Sequence, residues 1–154
     1  MIDLIKESSV FSRINSQELD KISKFGRIVK FQDGDQIFCA GDNATFMYIV
    51  SKGEVKLKFS VNHLNAPMDL TMDTIKENGY LGWSAFTKPY KYTLAAYAVG
   101  DTHLLQLQAD KIRELCDNNK NLGFIVMKNI TTMISARFAR LQGLVQHIIQ
   151  GYLK

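Results

Sequence analysis

Residues 31–55 read FQDGDQIFCAGDNATFMYIVSKGEV, and this stretch decides the fold. Gly34, Gly41 and Gly53 each stand between short segments that are rich in β-branched and aromatic residues. Glycine adopts positive backbone φ angles at little cost, and tight turns between strands often need such angles. We therefore predict that each of these glycines closes a turn between short strands of an antiparallel sheet.

The strand pattern extends on both sides of this stretch. The clearest strand is GEVKLKFSV (53–61), where apolar residues alternate with lysine and serine, as on a half-buried strand. NHLNAPMD (62–69) is predicted to be a loop. The other predicted strands are GRIVKF (26–31), QIFCA (36–40), FMYIVS (46–51), LTMDTIKE (70–77), part of 78–92, TLAAYAV (93–99) and THLLQLQ (102–108). We expect a mainly β fold with flanking helices, built on an eight-stranded antiparallel β-roll, or jelly roll.

Helices are predicted before and after the roll. In NSQELDKISKF (15–25), Asn15 is a favourable N-cap, and Glu18 stands three residues later, where its side chain can reach back to the cap's amide. ADKIRELC (109–116) predicts a short helix, and the proline-free residues from Leu122 onward predict a much longer one. We expect residues 1–154 to form a single domain, with N-terminal helices in 1–25, the roll in 26–108 and C-terminal helices in 109–154.

The long helix carries an apolar stripe that needs a partner. Its residues are spaced by three or four, which keeps them on one helix face for about six turns. A roll with a protruding helix cannot cover the whole stripe, so a two-fold contact with a second copy of the chain is expected; the alternative is a stripe that packs wholly within the chain. The residues of the stripe are Met127, Ile130, Ile134, Phe138, Leu141, Val145 and Ile148, and we assign all but Met127 to the dimer helix.

Composition excludes several classes of protein. With 46% hydrophobic and 22% charged residues, the chain has the make-up of an ordinary globular protein rather than a disordered one. No segment approaches the roughly 18 apolar residues of a membrane span, and the N-terminus lacks a signal-peptide pattern, so the cytoplasm is expected. Lysine and arginine are scattered, and the net charge of +4 does not by itself indicate nucleic-acid binding.

No motif predicts an enzyme or a metal centre. The phosphate-binding, nucleophile-elbow and zinc-protease motifs are missing from the sequence, so no catalytic residue is assigned. Cys39 and Cys116 lie far apart, which gives no basis for a disulfide framework. The histidines have no carboxylate or cysteine at ligand spacing, so no metal ligand is assigned either.

The ordered glycine series, with the helices around it, resembles the cyclic-nucleotide-binding domain family, which includes Crp/Fnr-type sensor domains. The resemblance covers nearly the whole chain. It implies a regulatory β-roll in which a pocket binds a cyclic nucleotide. The matching residues are Phe31, Gly34, Asp35, Ile37, Gly41, Asp42, Tyr48, Ile49, Val50, Gly53 and Val55.

The segment YLGWSAFTKPYKYTLAAYA (80–98) aligns with the family's phosphate-binding cassette but lacks its two polar anchors. Gly82 occupies the family glycine. Trp83 stands where the resemblance implies a glutamate that binds the ribose hydroxyl, and Tyr92 stands where it implies an arginine that binds the cyclic phosphate. Charge-assisted hydrogen bonds contribute about 1.5–3 kcal/mol each, so losing both anchors should weaken cyclic-nucleotide binding by roughly two to four powers of ten.

The pocket is still predicted to hold polar groups that could contact a ligand. The resemblance and the cassette together assign Gly82, Trp83, Ser84, Lys91, Tyr92 and Thr93 to the ligand site. Backbone amides near Gly82, the Thr93 hydroxyl and the ammonium group of Lys88 or Lys91 would be its polar groups. Trp83 either fills a core or lid, or stacks on a planar ligand. Three alternatives remain: cAMP or cGMP as the ligand, another ligand in an altered pocket, or a roll that is purely structural.

The predicted function is a non-enzymatic ligand-sensing regulatory domain that does not bind cAMP in the usual way. Relatives that control transcription carry a DNA-binding domain after the long helix, whereas this sequence ends there at GYLK (151–154). We therefore expect a homodimer with a small-molecule ligand, and no nucleic-acid or membrane partner for this chain itself. Arg137, Arg140 and Lys128 on the long helix are interpreted as solvated or as attracting phosphate rather than as reading bases. The alternative is the sensory half of a Crp/Fnr-type transcription regulator whose DNA-binding domain is absent from this chain.

Overall fold

The structure, a computed structural model, describes residues 1–63 and 66–152, without the side chains of 61–63, 66, 67, 144, 148 and 152. Short helices come first, then the strands, then two helices. The helices are α1 (Ile2–Glu7), α2 (Ser16–Ser23), α3 (Ala109–Asn118) and α4 (Lys120–Tyr152), with 3-10 helices at Ser9–Phe11 and Trp83–Phe86. The strands are β1 (Gly26–Phe31), β2 (Gln36–Phe38), β3 (Phe46–His63), β4 (Ala66–Ile75), β5 (Tyr80–Leu81) and β6 (Ala95–Gln108).

The mainly β fold with flanking helices is confirmed, but the described ranges contain six strands rather than eight. The sheet runs β1-β6-β3-β4, with β2 paired to β6 and β5 paired to β3, all antiparallel. The count is lower because two pairs of predicted strands each form one continuous strand. The strands predicted at 46–51 and 53–61 are both part of β3, and those predicted at 93–99 and 102–108 are both part of β6, which begins at Ala95. The prediction of a loop at 62–69 is also wrong for the residues that the structure describes. Residues 62–63 belong to β3, and residues 66–69 belong to β4.

Gly53 explains why β3 is continuous. The prediction of a turn there is wrong: Gly53 lies inside β3, where the pairing with β6 shifts register between Lys52 and Glu54. Its φ of 79° is in the left-handed region, and an added Cβ would lie 2.7 Å from Thr102 Oγ1 and 2.9 Å from the Asp101 carbonyl oxygen. A glycine is thus needed for an irregularity that bends the strand, rather than for a turn that ends it.

The Gly-Asp pairs at 34–35 and 41–42 form the turns that the sequence predicts. Both glycines have positive φ angles, 82° and 89°. In each turn the aspartate carboxylate accepts a backbone hydrogen bond from three residues earlier: Asp35 Oδ2 from Gln32 N at 2.7 Å, and Asp42 Oδ2 from Cys39 N at 3.0 Å. These local hydrogen bonds give the repeated dipeptide its physical role.

Alternating residues of β3 fill two separate cores. Met47 and Ile49 face the helices, where they pack with residues such as Phe11 and Ile112. Tyr48 and Val50 point to the opposite face and enter the interior of the roll. The period of two along a strand places neighbours on opposite faces, so one strand joins the helical layer to the roll.

The N-terminal helices follow the prediction in part. Asn15 caps α2, with its Oδ1 accepting from Glu18 N at 3.0 Å. The Glu18 carboxylate, which was predicted to reach back to the cap, instead accepts from Lys21 Nζ at 3.0 Å. Lys21 lies one turn along the helix, and its ammonium forms a charge-assisted hydrogen bond with Glu18. Such a bond is stronger than a hydrogen bond from the neutral backbone amide of the cap.

The long helix α4 divides into a docked half and an exposed half. Leu122, Val126 and Ile130 are buried against the roll and the N-terminal helices. Asn129 fixes this half by donating from Nδ2 to the carbonyl oxygens of Val10 (3.0 Å) and Ser12 (3.1 Å).

The predicted dimer stripe is therefore used in two ways. Ile130 is fully buried and Ile134 partly buried within their own chain, so neither stands open to a second chain. Phe138, Leu141 and Val145 are 59%, 39% and 47% exposed. Ile148 falls among the side chains outside the description, and its neighbour Ile149 is exposed.

A candidate ligand site between the cassette and the long helix

The cassette begins with a glycine that contacts the backbone of β3. Gly82 follows β5 with a φ of 83°, and a Cβ there would lie 2.8 Å from the Phe46 carbonyl oxygen. The 3-10 helix Trp83–Phe86 starts directly after it. Arg113 of α3 holds this helix by donating to the Ala85 carbonyl oxygen, and its guanidinium lies 4.5 Å from the centre of the Tyr90 ring. The cassette is thus fixed from both sides.

A cavity of about 300 Å³ lies between the cassette and the long helix. This volume is at the lower end of the range that is usual for small-molecule sites. Residues from the roll, the cassette and α4 all contribute to its wall. The lining residues are Phe38, Leu57, Met72, Asp73, Gly82, Trp83, Ser84, Tyr92, Thr93, Leu94, Ile134, Arg137, Phe138, Arg140 and Leu141.

Five of the six residues assigned to the site from the sequence line this cavity. Gly82, Trp83, Ser84, Tyr92 and Thr93 all lie in the cassette segment between β5 and β6. Lys91 lies elsewhere: its Nζ donates to the Gly41 carbonyl oxygen at 3.0 Å and approaches Asn43 Oδ1 at 3.5 Å. Its ammonium therefore stabilises the turn at Gly41.

Tyr92 occupies the arginine position as a buried structural residue. It is 4% exposed, and its ring stacks on Phe38 with 3.7 Å between ring centres. Its hydroxyl donates to the Phe46 carbonyl oxygen at 2.8 Å and accepts from Phe46 N at 3.3 Å. Burial raises the pKa of Tyr92 well above its usual value, so the phenol stays neutral. It presents an aromatic ring to the cavity and no positive charge.

Trp83 fills part of a core, as one of the two predicted roles has it, and it also borders the cavity. Its indole is partly buried and packs against the core that joins the helices to the roll. It also forms part of the cavity wall. This one side chain therefore contacts both the cavity and the packing between the roll and the helices.

Three charged residues of the cavity were not assigned to it from the sequence. Arg137 and Arg140 of α4 both reach Asp73 of β4, with Arg137 Nε and Arg140 Nη2 at 3.0 Å and 3.2 Å from Asp73 Oδ2. Arg137 Nη2 also donates to the Tyr80 carbonyl oxygen at 3.0 Å. The interpretation of Arg137 as solvated is therefore wrong, because its side chain is 19% exposed and tied to the sheet.

Burial shapes the electrostatics of this group. Burial lowers the pKa of the Arg137 guanidinium, and the charge of Asp73 opposes that effect. Burial likewise raises the pKa of Tyr80 to about 12, and the positive charge of Arg137 works against it. Since Tyr80 OH also donates to the Asn129 carbonyl oxygen at 3.2 Å, Tyr80 contacts α4 through both its hydroxyl and its backbone.

One signal in the sequence could have found the two arginines. They stand directly beside Phe138 and Leu141 of the apolar stripe, three residues apart, and so share a helix face that borders the stripe. Asp73 had no such signal. It sits in a polar and apolar alternation that reads as an ordinary strand, and only the fold brings it opposite α4.

The chain belongs to the cyclic nucleotide-binding domain family. The family model, "Cyclic nucleotide-binding domain", matches residues 28–119, which include nearly all of the roll, the cassette and α3. This confirms the resemblance drawn from the glycine series. Domains of this family are regulatory and bind small ligands. No curated protein matches the sequence significantly.

Solved structures share the fold. The sensor domain of the transcriptional regulator DNR from Pseudomonas aeruginosa has 17% identity and a TM-score of 0.71, covering 89% of this chain and 90% of that one. The catabolite activator protein of Thermus thermophilus has 21% identity and a TM-score of 0.69, covering 92% and 63%. The regulatory domain of Toxoplasma gondii PKA, solved with cAMP, has 18% identity and a TM-score of 0.70, covering 88% and 48%. At these identities the likeness establishes the fold alone.

No helix in the described part of the chain is both long enough and apolar enough to pass through a membrane. Among the side chains that the structure describes, no three His, Cys, Asp or Glu residues come together as a group that could hold a metal ion.

Tyr92→Arg should destabilise the fold rather than simply restore a phosphate anchor. The change removes the ring stacked on Phe38 and both hydrogen bonds to Phe46, and it buries a guanidinium in their place. Tyr92→Phe keeps the stack and should lower the free energy of unfolding by about 1–3 kcal/mol, with a larger loss for the arginine variant. Urea unfolding measures both. An arginine variant as stable as the wild type would contradict the structural role assigned to Tyr92.

Proposed function

We propose that this chain is a non-enzymatic ligand-sensing regulatory domain with a diverged pocket, which does not bind cAMP in the usual way. The observation that carries the proposal is the shared wall of the cavity. One side is the cassette, with Trp83 and Tyr92 at the two anchor positions, and the other side is the long helix. In this proposal, residues 1–154 form one domain of a cytoplasmic protein.

The shared wall suggests how binding would produce a signal. A ligand that contacts both Ser84 of the cassette and Phe138 of α4 favours the helix position in which both contacts form. Binding then shifts the population of helix positions by the difference in affinity between them. Coupling of this kind typically amounts to ~1–3 kcal/mol, or roughly five-fold to 150-fold in affinity.

The same helix would carry the signal to a second copy of the chain. Phe138, Leu141, Val145 and Ile149 are large apolar residues, exposed at 39–59% and spaced by three, four and four. This spacing keeps the four side chains on one face of the helix, as an apolar stripe that the same stripe of a second helix can cover. Because Phe138 and Leu141 also line the cavity, a ligand and a second chain would contact adjacent parts of one helix face. We therefore propose a homodimer through the C-terminal half of α4.

A second candidate is the sensory half of a Crp/Fnr-type transcription regulator. Two coverages favour it. This chain matches 90% of the DNR sensor domain, which is part of a transcriptional regulator, but only 63% of the catabolite activator protein. The coding sequence that follows residue 154 decides between the two. An open reading frame for a helix-turn-helix domain supports the second candidate, and an immediate stop codon contradicts it.

The unmodified protein should bind cyclic nucleotides weakly. Isothermal titration with cAMP and with cGMP is expected to give a dissociation constant in the millimolar range or above, because two charge-assisted contacts are missing. The regulatory domain of Toxoplasma gondii PKA, whose structure holds cAMP, serves as the positive control. Micromolar or tighter binding of either nucleotide by the unmodified chain would overturn the proposal of a diverged pocket.

Charge on the exposed stripe should separate the proposed dimer. Val145→Glu together with Ile149→Glu places like charges in the stripe, and sedimentation equilibrium should show a monomer where the wild type is a dimer. His147→Glu is the matched control, since His147 is exposed about half a helical turn away from Val145 and should leave the dimer intact. A monomeric wild-type protein, or an unchanged dimer in the double variant, would refute this interface.

A further inference from the structure

The cavity has a charged end and an apolar body. The charged residues of its described wall are Asp73, Arg137 and Arg140, so two positive charges face one negative charge and the excess is one positive charge. Most of the remaining wall is apolar or aromatic, with Phe38, Leu57, Met72, Trp83, Leu94 and Ile134 among its members. A small apolar site with a single excess positive charge favours a ligand with one negative charge and an otherwise apolar surface.

The two arginines differ in how firmly they are held. Arg137 is mostly buried, and it donates both to Asp73 and to the Tyr80 carbonyl oxygen. Arg140 is 65% exposed, and its recorded contact is the 3.2 Å pair with Asp73 Oδ2, the same oxygen that Arg137 contacts. Exposed ion pairs of this kind are weak, because solvent screens them and the long side chain loses freedom in forming them. The Arg140 guanidinium can therefore turn to an incoming anion while Arg137 keeps α4 tied to the sheet.

We propose that this cavity takes a small monocarboxylate with an apolar or aromatic body, whose carboxylate is bound by Arg140 and whose body lies against Phe38, Trp83 and Leu94. This rests on the proposed ligand-sensing function and names the class of ligand. A guanidinium matches a carboxylate through two parallel hydrogen bonds, which gives orientation as well as attraction. A cyclic nucleotide fits this wall poorly, since its ribose and base present many polar groups to a mostly apolar surface.

The position of Arg140 means that a bound ligand would also restrict the exposed half of α4. Arg140 belongs to the exposed half of α4, beyond Ile130 and Ile134, which pack within the chain. A carboxylate held by Arg140, with its body against the cassette and roll, links that half of the helix to the rest of the domain. The ligand would then restrict the helix segment that also carries Leu141 and Val145 of the proposed dimer stripe.

The chain contains a reporter for this site. Trp83 is the only tryptophan in the sequence, and it lines the cavity, so its fluorescence responds to occupancy of this wall. The probes are phenylbutyrate and phenylbutyramide, which have the same body and differ in the charge of the end group. We expect the carboxylate to bind roughly ten-fold or more tightly than the amide, as a charge-assisted hydrogen bond predicts.

Arg140→Gln tests the assigned contact directly. The variant should lose the preference for phenylbutyrate over phenylbutyramide and keep its affinity for the amide, because the apolar wall is unchanged. Lys128→Gln is the control, since it removes one positive charge from an exposed position on the same helix and should keep the preference. Because Arg140 is exposed, the substitution should not disturb folding, and circular dichroism checks this. The comparison of the two probes on the wild-type protein tests the proposal even if the variant misfolds.

Three results would overturn the inference: equal affinity for the two probes, a preference that survives in folded Arg140→Gln protein, or no binding of either probe up to millimolar concentration. Equal affinity would still leave the cavity as a ligand site, so the proposed sensing function would stand. Tight binding of cAMP or cGMP, by contrast, would overturn the diverged pocket itself. The two failures are thus distinguishable.

Discussion

The ion pair between Asp73 and Arg137 is the interaction on which the site depends. It joins β4 to the long helix at 3.0 Å, and Arg137 extends the tie to the Tyr80 carbonyl oxygen of β5. Up to Ile130 the helix is held by apolar burial, but beyond Ile134 the large apolar side chains that the structure describes are exposed. The ion pair therefore acts where hydrophobic packing ends, and it keeps the next turn of the helix over the cavity.

The two walls of the cavity are held in place by different kinds of interaction. The cassette is fixed by backbone geometry and buried contacts: the positive φ of Gly82, the hydrogen bonds of Tyr92 to Phe46, and the Arg113 contact with Ala85. The helix wall is held by the partly buried ion pair of Arg137 with Asp73 and by the exposed pair of Arg140 with the same carboxylate, and the exposed pair is the weaker and more easily exchanged of the two. A rigid wall that faces an adjustable one is the arrangement in which a small ligand can shift a helix without unfolding the domain.

The sequence predicts the frame of this protein better than its site. Glycine turns, strand alternation and the Asn15 cap are local features, because their causes lie within a few residues along the chain. The structure confirms the turns at Gly34 and Gly41 and the cap at Asn15. Gly53 was misjudged because a turn and a bulge both need positive φ, and only the pairing of β3 with β6 separates them. Asp73 was missed because its role arises from a partner 64 positions away in the helix, a contact that no local pattern encodes. Similarly, Lys91 has the right charge for the pocket, but the fold directs it to the turn at Gly41.

A double-mutant cycle on Asp73 and Arg137 tests the central claim most directly. The free energy of unfolding is measured by urea denaturation for the wild type, Asp73→Asn, Arg137→Gln and the double variant. The account predicts a coupling energy of about 1–3 kcal/mol, as is usual for a partly buried, hydrogen-bonded ion pair between contacting residues. If the two single effects add to within about 0.5 kcal/mol, the pair does not hold the helix on the sheet and the account is contradicted.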